Sequence, residues 1–304
     1  MKDQRGFALV ITLIITALLV ALTAEFVNEV FVDTSARQSF SNGQQASLLA
    51  GSGMEAAIKL LQMGQALHSY TSQADLDQLA KLLHIEDEIG TIQVTVEDES
   101  GKLNVNSAWG DNGKPVPPFS DIARRLVKNL GFSTDLLDAL ADWRDTDDEP
   151  HPAGAETPYY STLKPPYEAK NGKLSTIGEL RLVKGFDAET FNRLAPFVTV
   201  YDDCTAIDIN TAPKELIAAL GDDMTADLAQ DVVNYRKEHP FENVSDLEKV
   251  PGAPGKINST GFQGLLSVKG TTFRIHSEAR VNETTRIIEA VVNAGGKILY
   301  WREY

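Results

Sequence analysis

The sequence predicts an α+β protein with a long N-terminal helix, an antiparallel sheet and an all-helical domain inserted between strands of that sheet. Three observations support this fold class. The N-terminal segment is apolar and helix-periodic, strand-like alternation occurs at residues 91–96 and again after residue 272, and helix signals fill the interval. With 304 residues, the chain is long enough for a membrane helix and one large or two smaller globular domains.

An uncharged apolar run over residues 7–24 predicts the first part of the N-terminal helix. Its length approaches the roughly 20 residues that an α-helix needs to cross a bilayer. Lys2 and Arg5 precede the run and Glu25 follows it, so the positive-inside tendency predicts a single pass with a cytoplasmic N-terminus and a periplasmic remainder. The alternative, a buried helix of a soluble protein, does not explain the polar leader at residues 1–6.

The same helix is expected to continue well beyond the membrane. Apolar residues recur at three- and four-residue steps from Ala46 to Leu61, which indicates one apolar face and extends the predicted helix to residue 67. Alternating apolar and polar residues elsewhere indicate strands with one covered face. A short helix is predicted over 76–83, and strands are predicted over 91–96, 272–279, 285–292 and 297–301.

Helix signals dominate between the early and the late strands. Two segments there have the same order of elements: a helix, a Gly-Phe pair and a second helix. Gly131 and Gly185 can take the left-handed conformation that ends a helix, and Ser133 and Asp187 can cap the helix that follows. We therefore predict two helical hairpins, over 126–140 and 180–194.

Composition limits the function classes. The net charge of −15 argues against a nucleic-acid partner, because phosphates would be repelled, and it suits cation binding. Cys204 is the one cysteine, so it cannot form an intramolecular disulfide, and we expect a buried free thiol.

The five histidines are scattered, and the chain has no nucleophile elbow or phosphate-binding loop, so no enzyme is predicted. Paired carboxylates alone are weak support for a hydrolase.

Gly6 and Phe7 stand between the polar leader and the apolar run. In a secretory signal the small residues of the cleavage site follow the apolar core, whereas here the small residue precedes it, so the apolar helix is expected to be retained. The Gly6-Phe7 pair resembles the prepilin-peptidase site of type IV pilins and type II secretion pseudopilins. The resemblance implies cleavage after Gly6 and methylation of the new N-terminus at Phe7.

Ile11 is the fifth residue counted from Phe7. Most pilins and pseudopilins carry a glutamate at this position, thought to neutralise the N-terminus of a neighbouring subunit, because an unpaired charge in an apolar filament core is costly. Ile11 cannot do this, which fits a subunit at the filament tip with no neighbour above it. Among pseudopilins, the chain is similar over nearly its whole length to the general secretion pathway protein K family, and Ile11 is taken as the tip-subunit marker.

The densest acidic segment runs from Asp142 to Glu149. Within it carboxylates alternate, and Glu156 is the twelfth position counted from Asp145, so oxygen ligands occur at spacings that a calcium loop uses. Pro150 takes the sixth position, where an EF-hand requires glycine. The segment is similar to the Asp-Trp-x-Asp-x-Asp run of K pseudopilins, and this resemblance implies a structural calcium site. His151 is not expected to be a ligand, since calcium prefers oxygen. The implied ligands are Asp142, Asp145, Asp147, Glu149 and Glu156.

Residues 208–252 resemble the helix-hairpin-helix repeats of DNA-uptake proteins, which hold a phosphate on backbone amides. The segment carries ten acidic and four basic side chains, a balance that repels a polyanion. We therefore expect a hairpin used for packing. A periplasmic DNA receptor is the less favoured alternative.

The resemblance to the K family also implies the arrangement of domains and a function. The leader would comprise residues 1–6 and the N-terminal helix residues 7–67. A pilin-like α+β domain would comprise residues 68–108 and 262–304, and the helical insert would lie between its two parts, at 109–261. The function implied is that of a minor pseudopilin at the tip of the type II secretion pseudopilus, which initiates and caps the filament for protein secretion across the outer membrane. Implied partners are minor pseudopilins I and J, the major pseudopilin and prepilin peptidase. A minor pilin of a type IV pilus is the alternative within the same structural class.

Overall fold

The computed structural model describes residues 4–253, 262 and 264–304, with side chains from residue 6. Its longest element is one helix, α1, which spans Gln4–Leu67 and confirms the predicted long N-terminal helix. Residues 6–41 of α1 are exposed along their whole length. Among the described residues α1 is the one helix long and apolar enough to cross a membrane, and its most apolar window has a mean hydropathy of 2.7. Residues 1–3 of the predicted leader lie outside the described residues.

The other helices and strands follow in chain order. The α-helices are α2 (Gln73–Leu82), α3 (Phe119–Asn129), α4 (Asp135–Arg144), α5 (Thr157–Tyr160), α6 (Ala188–Leu194), α7 (Lys214–Ile217) and α8 (Ala226–Glu238). The strands are β1 (Ile85–Glu86), β2 (Thr91–Asp98), β3 (Leu103–Asn104), β4 (Val198–Thr199), β5 (Ile207–Asp208), β6 (Leu266–Ser267), β7 (Thr272–Val281), β8 (Thr284–Asn293) and β9 (Ile298–Glu303).

The main sheet is antiparallel, with the strand order β1-β2-β7-β8-β9. β2 and β7 pair along their length, from Thr91 opposite Arg280 to Asp98 opposite Phe273. Side chains of β2 alternate between buried and exposed, as expected for a strand with one covered face. The predicted antiparallel sheet is therefore confirmed, and strands before and after the insert are direct neighbours in it.

The C-terminal half of α1 covers one face of this sheet. Its buried side chains recur at three- and four-residue spacing and are mostly small, which lets the helix lie close to the strands. These side chains are Ala46, Ala50, Met54, Ala57 and Leu61. The apolar face predicted from the sequence is thus the face that contacts the sheet.

Gly53 is the point of closest approach between α1 and the sheet. A Cβ atom at this position would lie 2.6 Å from the Oγ of Ser277 and 2.8 Å from the Cγ2 of Ile92. The Oγ of Ser277 also donates a hydrogen bond to the carbonyl of Ala50 at 2.8 Å. This buried bond and the lack of space at Gly53 together fix how far α1 can slide along the sheet.

The inserted domain connects the end of β2 to the start of β7 and has its own apolar core. Its described residues form helices, two pairs of two-residue parallel strands, β3 with β4 and β5 with β6, and an isolated bridge between Trp109 and Pro115. The prediction of an all-helical insert did not include these strands, because two residues leave no alternating pattern in a sequence. Leu103 and Leu266 belong to the same core, so the insert extends on both sides beyond the predicted bounds of 109–261.

The predicted glycine turns are present in both hairpins. Gly131 and Gly185 have φ angles of 80° and 85°, which side chains other than glycine rarely adopt. Asp187 caps α6 as predicted, since its carboxylate accepts a hydrogen bond from the backbone N of Thr190 at 2.8 Å.

Two details of the hairpins differ from the prediction. Thr134, rather than Ser133, precedes α4, and its side chain makes no capping hydrogen bond. Ser133 instead accepts a hydrogen bond from the backbone N of Asp135 at 3.2 Å. The first helix of the second hairpin is a 3₁₀ turn at Ile177–Leu182, which short helices favour when a tight connection follows.

Gly53→Ala is predicted to destabilise the protein by about 1–3 kcal/mol, because the added methyl group would overlap Ser277 and Ile92. Gly51→Ala, two residues earlier in α1, is the matched control. The nearest atom to a Cβ there is 4.0 Å away, so this change should instead gain helix propensity of about 0.5–1 kcal/mol. The free energy of unfolding of the detergent-solubilised chain, measured in urea by circular dichroism, gives the comparison. Equal effects of the two substitutions would contradict a close approach at Gly53.

Candidate functional site

The candidate site is the acidic loop, defined here as residues 142–156. It begins in the last turn of α4, where Asp142 is buried, and ends at Glu156, which immediately precedes α5. Trp143 of α4 packs edge-on against Tyr160 of α5, with ring centroids 5.1 Å apart. This aromatic contact holds the two helices together, and with them the two ends of the loop.

Two overlapping groups of possible ligand atoms lie in the acidic loop. The ligand atoms of Asp142, Asp145 and His151 lie within 4.8 Å of one another. Those of Asp145, Asp147 and Glu156 lie within the same distance of one another. Asp145 belongs to both groups and is therefore at the centre of the site.

Asp145 and Glu156 are buried, yet three of their oxygen atoms have no hydrogen-bond donor. These atoms are the Oδ1 of Asp145 and both carboxyl oxygens of Glu156, and no described residue donates a hydrogen bond to them. An unpaired buried polar atom costs about 1–3 kcal/mol, and a charged one costs more. Oxygen atoms in this state fit a hard cation such as calcium, which prefers carboxylate and carbonyl oxygens.

Burial and mutual repulsion also change the acidity of these two groups. Burial, together with repulsion from Asp147 and Asp142, raises the pKa of Asp145 to about 6. Burial, together with repulsion from Asp142 and Asp145, raises the pKa of Glu156 to about 8. Near neutral pH the metal-free loop therefore retains a proton that a bound cation would displace.

The carboxylate of Asp142 finds its hydrogen-bond partners within the acidic loop. Its Oδ1 accepts a hydrogen bond from the backbone N of His151 at 3.1 Å and also contacts the Nδ1 of the same residue. Burial lowers the pKa of His151, but the hydrogen bond and charge of Asp142 outweigh burial and raise it. His151 thus lies beside a predicted ligand as its hydrogen-bond partner.

Glu149 is placed differently from the other four predicted ligands. Its side chain is exposed and belongs to neither group of ligand atoms. Its backbone N donates to the Oδ1 of Asp147 at 3.0 Å, which forms a turn after Asp147 and directs the following residues outward. The structure therefore brings together Asp145, Asp147 and Glu156, with Asp142 beside Asp145.

Two glycines and a lysine shape the site without having been predicted. A Cβ atom at Gly113 would collide with the carboxylate of Asp145, and one at Gly154 would collide with that of Asp142. The Nζ of Lys184 donates to the carbonyl of Gly154 at 2.9 Å, which ties the acidic loop to the second hairpin. A single sequence has no signal that connects Gly113 or Lys184 to a loop so far away along the chain.

The segment over 208–252 uses its polar groups inside the fold. Asn210 is buried and exchanges two hydrogen bonds with the backbone of Phe241, at 2.9 and 2.8 Å. Arg236 donates to the carbonyls of Ile209 and Ala212 at 2.6 and 2.7 Å. These contacts use the Asn210 amide and the Nη1 of Arg236 inside the fold, as expected for a hairpin used for packing.

The predicted processing site and tip marker lie on the exposed part of α1. A Cβ atom at Gly6 would meet no atom within 4 Å, and the side chains of Phe7 and Ile11 are 68% and 40% exposed. All three positions are therefore exposed in the part of the chain that the structure describes.

Comparison with known proteins identifies the family. Two family models, both described as type II secretion system protein K, match residues 101–203 and 207–269. The type II secretion system protein K of Pectobacterium carotovorum subsp. carotovorum is 30% identical over 299 residues, covering 92% of this chain and 90% of that protein. The protein of the same name from Klebsiella pneumoniae is 31% identical over 286 residues, covering 89% of this chain and 86% of that protein.

The fold matches a solved structure as well. A chain in the crystal structure of a GspK–GspI–GspJ complex from enterotoxigenic Escherichia coli superposes with a TM-score of 0.73 at 20% identity, covering 90% of this chain and 99% of that chain. This likeness supports the long helix, the antiparallel sheet and the insert as one shared fold. Because the matches extend over nearly the whole length, the chain belongs to the type II secretion system protein K family.

Proposed function

We propose that this protein is the minor pseudopilin at the tip of the type II secretion pseudopilus, where it initiates and caps the filament. Ile11 is the observation that carries the tip position. It replaces the glutamate that would neutralise the N-terminus of a subunit above, and a subunit at the tip has no such neighbour. A charge in the middle of a membrane helix costs about 2–3 kcal/mol, so an apolar residue is favoured where no amine needs neutralising.

The proposed place of assembly is the inner membrane. Residues 7–24 of α1 would cross it once, with the N-terminus cytoplasmic and the sheet and insert periplasmic. Prepilin peptidase would remove residues 1–6 before assembly. Among the described residues no atom would lie within 4 Å of a Cβ at Gly6, which leaves the bond after Gly6 accessible.

Partners are proposed from the solved relative and from exposed apolar surface. The relative's complex contains GspI and GspJ, and we extend this pairing to minor pseudopilins I and J, with the major pseudopilin below them. Beyond residue 24, Phe26, Val30, Phe31 and Phe40 are exposed on α1. Apolar surface of this extent outside lipid is typical of a protein interface. The bulk of the insert would then limit how closely further subunits pack at the tip.

Calcium is proposed as a structural ion of the acidic loop. Asp145, Asp147 and Glu156 would hold it, with Asp142 close by. When bound, the ion supplies positive charge to carboxylates that otherwise repel one another and keep a proton. The loop and the hairpin attached through Lys184 would consequently become more rigid.

The assembly proposal is tested by co-purifying the full-length protein with the I and J subunits of its own secretion system. A discrete complex of the three proteins is expected in size-exclusion chromatography, because this protein alone leaves apolar surface of α1 uncovered. Immunogold labelling of pseudopili should mark filament ends. Three independent monomers would remove the assembly proposal, and labels spaced along filament shafts would remove the tip position.

Processing gives a second prediction. Gly6→Leu should leave the leader attached, because the resembled peptidase site requires the small residue before Phe7. The mass of the intact protein, extracted from membranes of cells that contain prepilin peptidase, reports the cleavage. Gly51→Ala serves as control and should be cut normally. A wild-type chain that still begins at Met1 in such cells would contradict the proposal.

Calcium binding should raise the melting temperature of the full-length protein in detergent. A site of about 10⁻⁴ M affinity, saturated at 100 times that concentration, stabilises the folded state by about 2.7 kcal/mol. Asp145→Ala combined with Asp147→Ala should abolish the difference between calcium and chelator. Glu149→Gln is the matched control and should keep it, since Glu149 lies outside both groups of ligand atoms. Identical melting in calcium and chelator for the wild-type chain would exclude the site.

The stabilisation by calcium should also increase with pH. Glu156 has an ordinary pKa of 4.5 that rises to about 8 in the folded metal-free protein, so its ionisation costs stability as pH increases across that interval. Calcium removes this cost by taking the place of the proton. The gain in melting temperature should therefore be larger at pH 8 than at pH 5. A gain that falls between pH 5 and pH 8 would contradict the proposed role of Glu156.

A further inference from the structure

Two carboxyl groups meet where the main sheet joins the inserted domain. Asp98 is the last residue of β2 in the sheet, and Asp208 is the last residue of β5 in the insert. Asp98 is 6% exposed and Asp208 is 0% exposed. The Oγ1 of Thr211 contacts both residues, at 2.7 Å from the Oδ2 of Asp98 and 3.5 Å from the backbone oxygen of Asp208, and the two carboxyl groups interact with each other. Neither belongs to the acidic loop, and the proposed function does not use them.

The hydrogen bonds around the pair leave one oxygen without a donor. Both oxygens of Asp98 accept, from the backbone N of Ser100 at 2.8 Å and from the Oγ1 of Thr211 at 2.7 Å. The Oδ1 of Asp208 accepts from the backbone N of Asn210 at 2.9 Å. The Oδ2 of Asp208 has no donor among the described residues. Because two ionised carboxylates can only accept, a bond between them requires a proton.

Among the described residues, no cation forms an ion pair with either carboxyl group. Arg236 of α8 attracts Asp208, but its Nη1 donates to the carbonyls of Ile209 and Ala212. Cys204 is a further titratable group near Asp98, and burial raises its pKa to about 12, so the thiol stays neutral.

Glu99, the next residue along the chain, is a buried carboxylate that basic side chains do neutralise. It is equally buried, but Lys102 and the Arg274 guanidinium of β7 contact its carboxylate at 2.7 and 2.8 Å. Although burial alone would raise the pKa of Glu99, these two cations lower it. Lys102 and Arg274 therefore neutralise Glu99, and in the part of the chain that the structure describes Asp98 has no ion-pair partner.

The backbone also leaves little space around the pair. A Cβ atom at Gly270 would lie 2.8 Å from both carboxyl oxygens of Asp98. One at Gly101 would lie 2.5 Å from the Oγ1 of Thr211, which holds Asp98 from the other side. The two glycines allow chain segments from the sheet and the insert to close over the carboxyl groups, and they exclude water from the junction.

We propose that Asp98 and Asp208 form a proton-binding site in which one shared proton links the main sheet to the inserted domain. The proton gives the Oδ2 of Asp208 its missing hydrogen bond and removes the repulsion between the two groups. Burial raises the pKa of both carboxyl groups, and for Asp208 the charge of Asp98 raises it further. Groups with a raised pKa stabilise the fold at low pH and lose that contribution as pH increases through the raised value. The junction should therefore loosen as pH increases.

Hydrogen exchange of the full-length protein in detergent, followed by mass spectrometry, tests the proposal at the junction itself. The relevant peptides cover residues 98–102 and 207–212, with exchange corrected for its intrinsic dependence on pH. Between the ordinary pKa of an aspartate, 3.8, and the raised pKa of the pair, protection of the wild-type peptides should fall by about tenfold for each pH unit, the slope for one proton, and it should level off above the raised pKa. Protection that does not change with pH would overturn the proposal.

Asp208→Asn is the informative variant. An asparagine amide donates a permanent hydrogen bond to Asp98, so protection of the same peptides should no longer depend on pH. Glu97→Gln is the matched control, since it removes an exposed carboxylate one residue before Asp98, and it should keep the wild-type slope. A slope in Asp208→Asn equal to that of the wild type would overturn the proposal.

Infrared spectroscopy of the wild-type protein provides a test that does not need a folded variant. The C=O stretch of a protonated carboxylic acid should disappear around the pH at which the loss of protection levels off, because both mark the raised pKa of the pair. In Asp98→Asn combined with Asp208→Asn that component of the spectrum should be absent. A wild-type spectrum in which no protonated acid titrates at that pH would overturn the shared proton.

Discussion

The contact between α1 and the main sheet is the constraint on which the rest of the structure depends. The helix α1 runs from Gln4 to Leu67 and contains no proline that would kink it. Its first half exposes apolar side chains, and its second half packs apolar side chains against the sheet. Small residues such as Ala50 and Gly53 bring the strands close enough to prevent sliding or rotation. With residues 7–24 in the membrane, as proposed, the direction of the globular part relative to the bilayer would follow from side-chain packing between Ala46 and Leu61.

Buried carboxylates in the inserted domain and its junction differ in how their charge is balanced. Glu99 forms ion pairs with two cations, whereas Asp98 and Asp208 form none among the described residues and are proposed to share a proton. Asp145 and Glu156 keep oxygen atoms free, which we propose calcium binds. The chain has 28 lysines and arginines against six buried acids in its described part, so the position of each acid, rather than a shortage of basic residues, decides whether it is paired.

Regular periodicity could be predicted from the sequence, and contacts between distant segments could not. The three- and four-residue repeat of α1 and the alternation in β2 and β7 to β9 each report one buried face, so these elements and the glycine turns at Gly131 and Gly185 were predicted correctly. The acidic loop was recognised by its composition. The alternating carboxylates predicted Glu149 as a ligand beside Asp147, but a local turn separates their side chains. The close approach of Gly113 to Asp145 depends on packing between distant segments, which no single sequence reveals.

The place of the insertion has a consequence for the order of folding. β2 and β7 are adjacent strands, although residues 99–272 lie between the pair formed by Asp98 and Phe273. Closing so long a flexible loop is entropically costly, and pairings between distant segments form slowly. The folded insert removes much of that cost, because the Oγ of Ser100 at its beginning accepts hydrogen bonds from the backbone N of Thr271 and Thr272 at its end, at 2.8 and 3.1 Å. The insert then acts as the turn of a hairpin, and the sheet is completed after the domain that interrupts it.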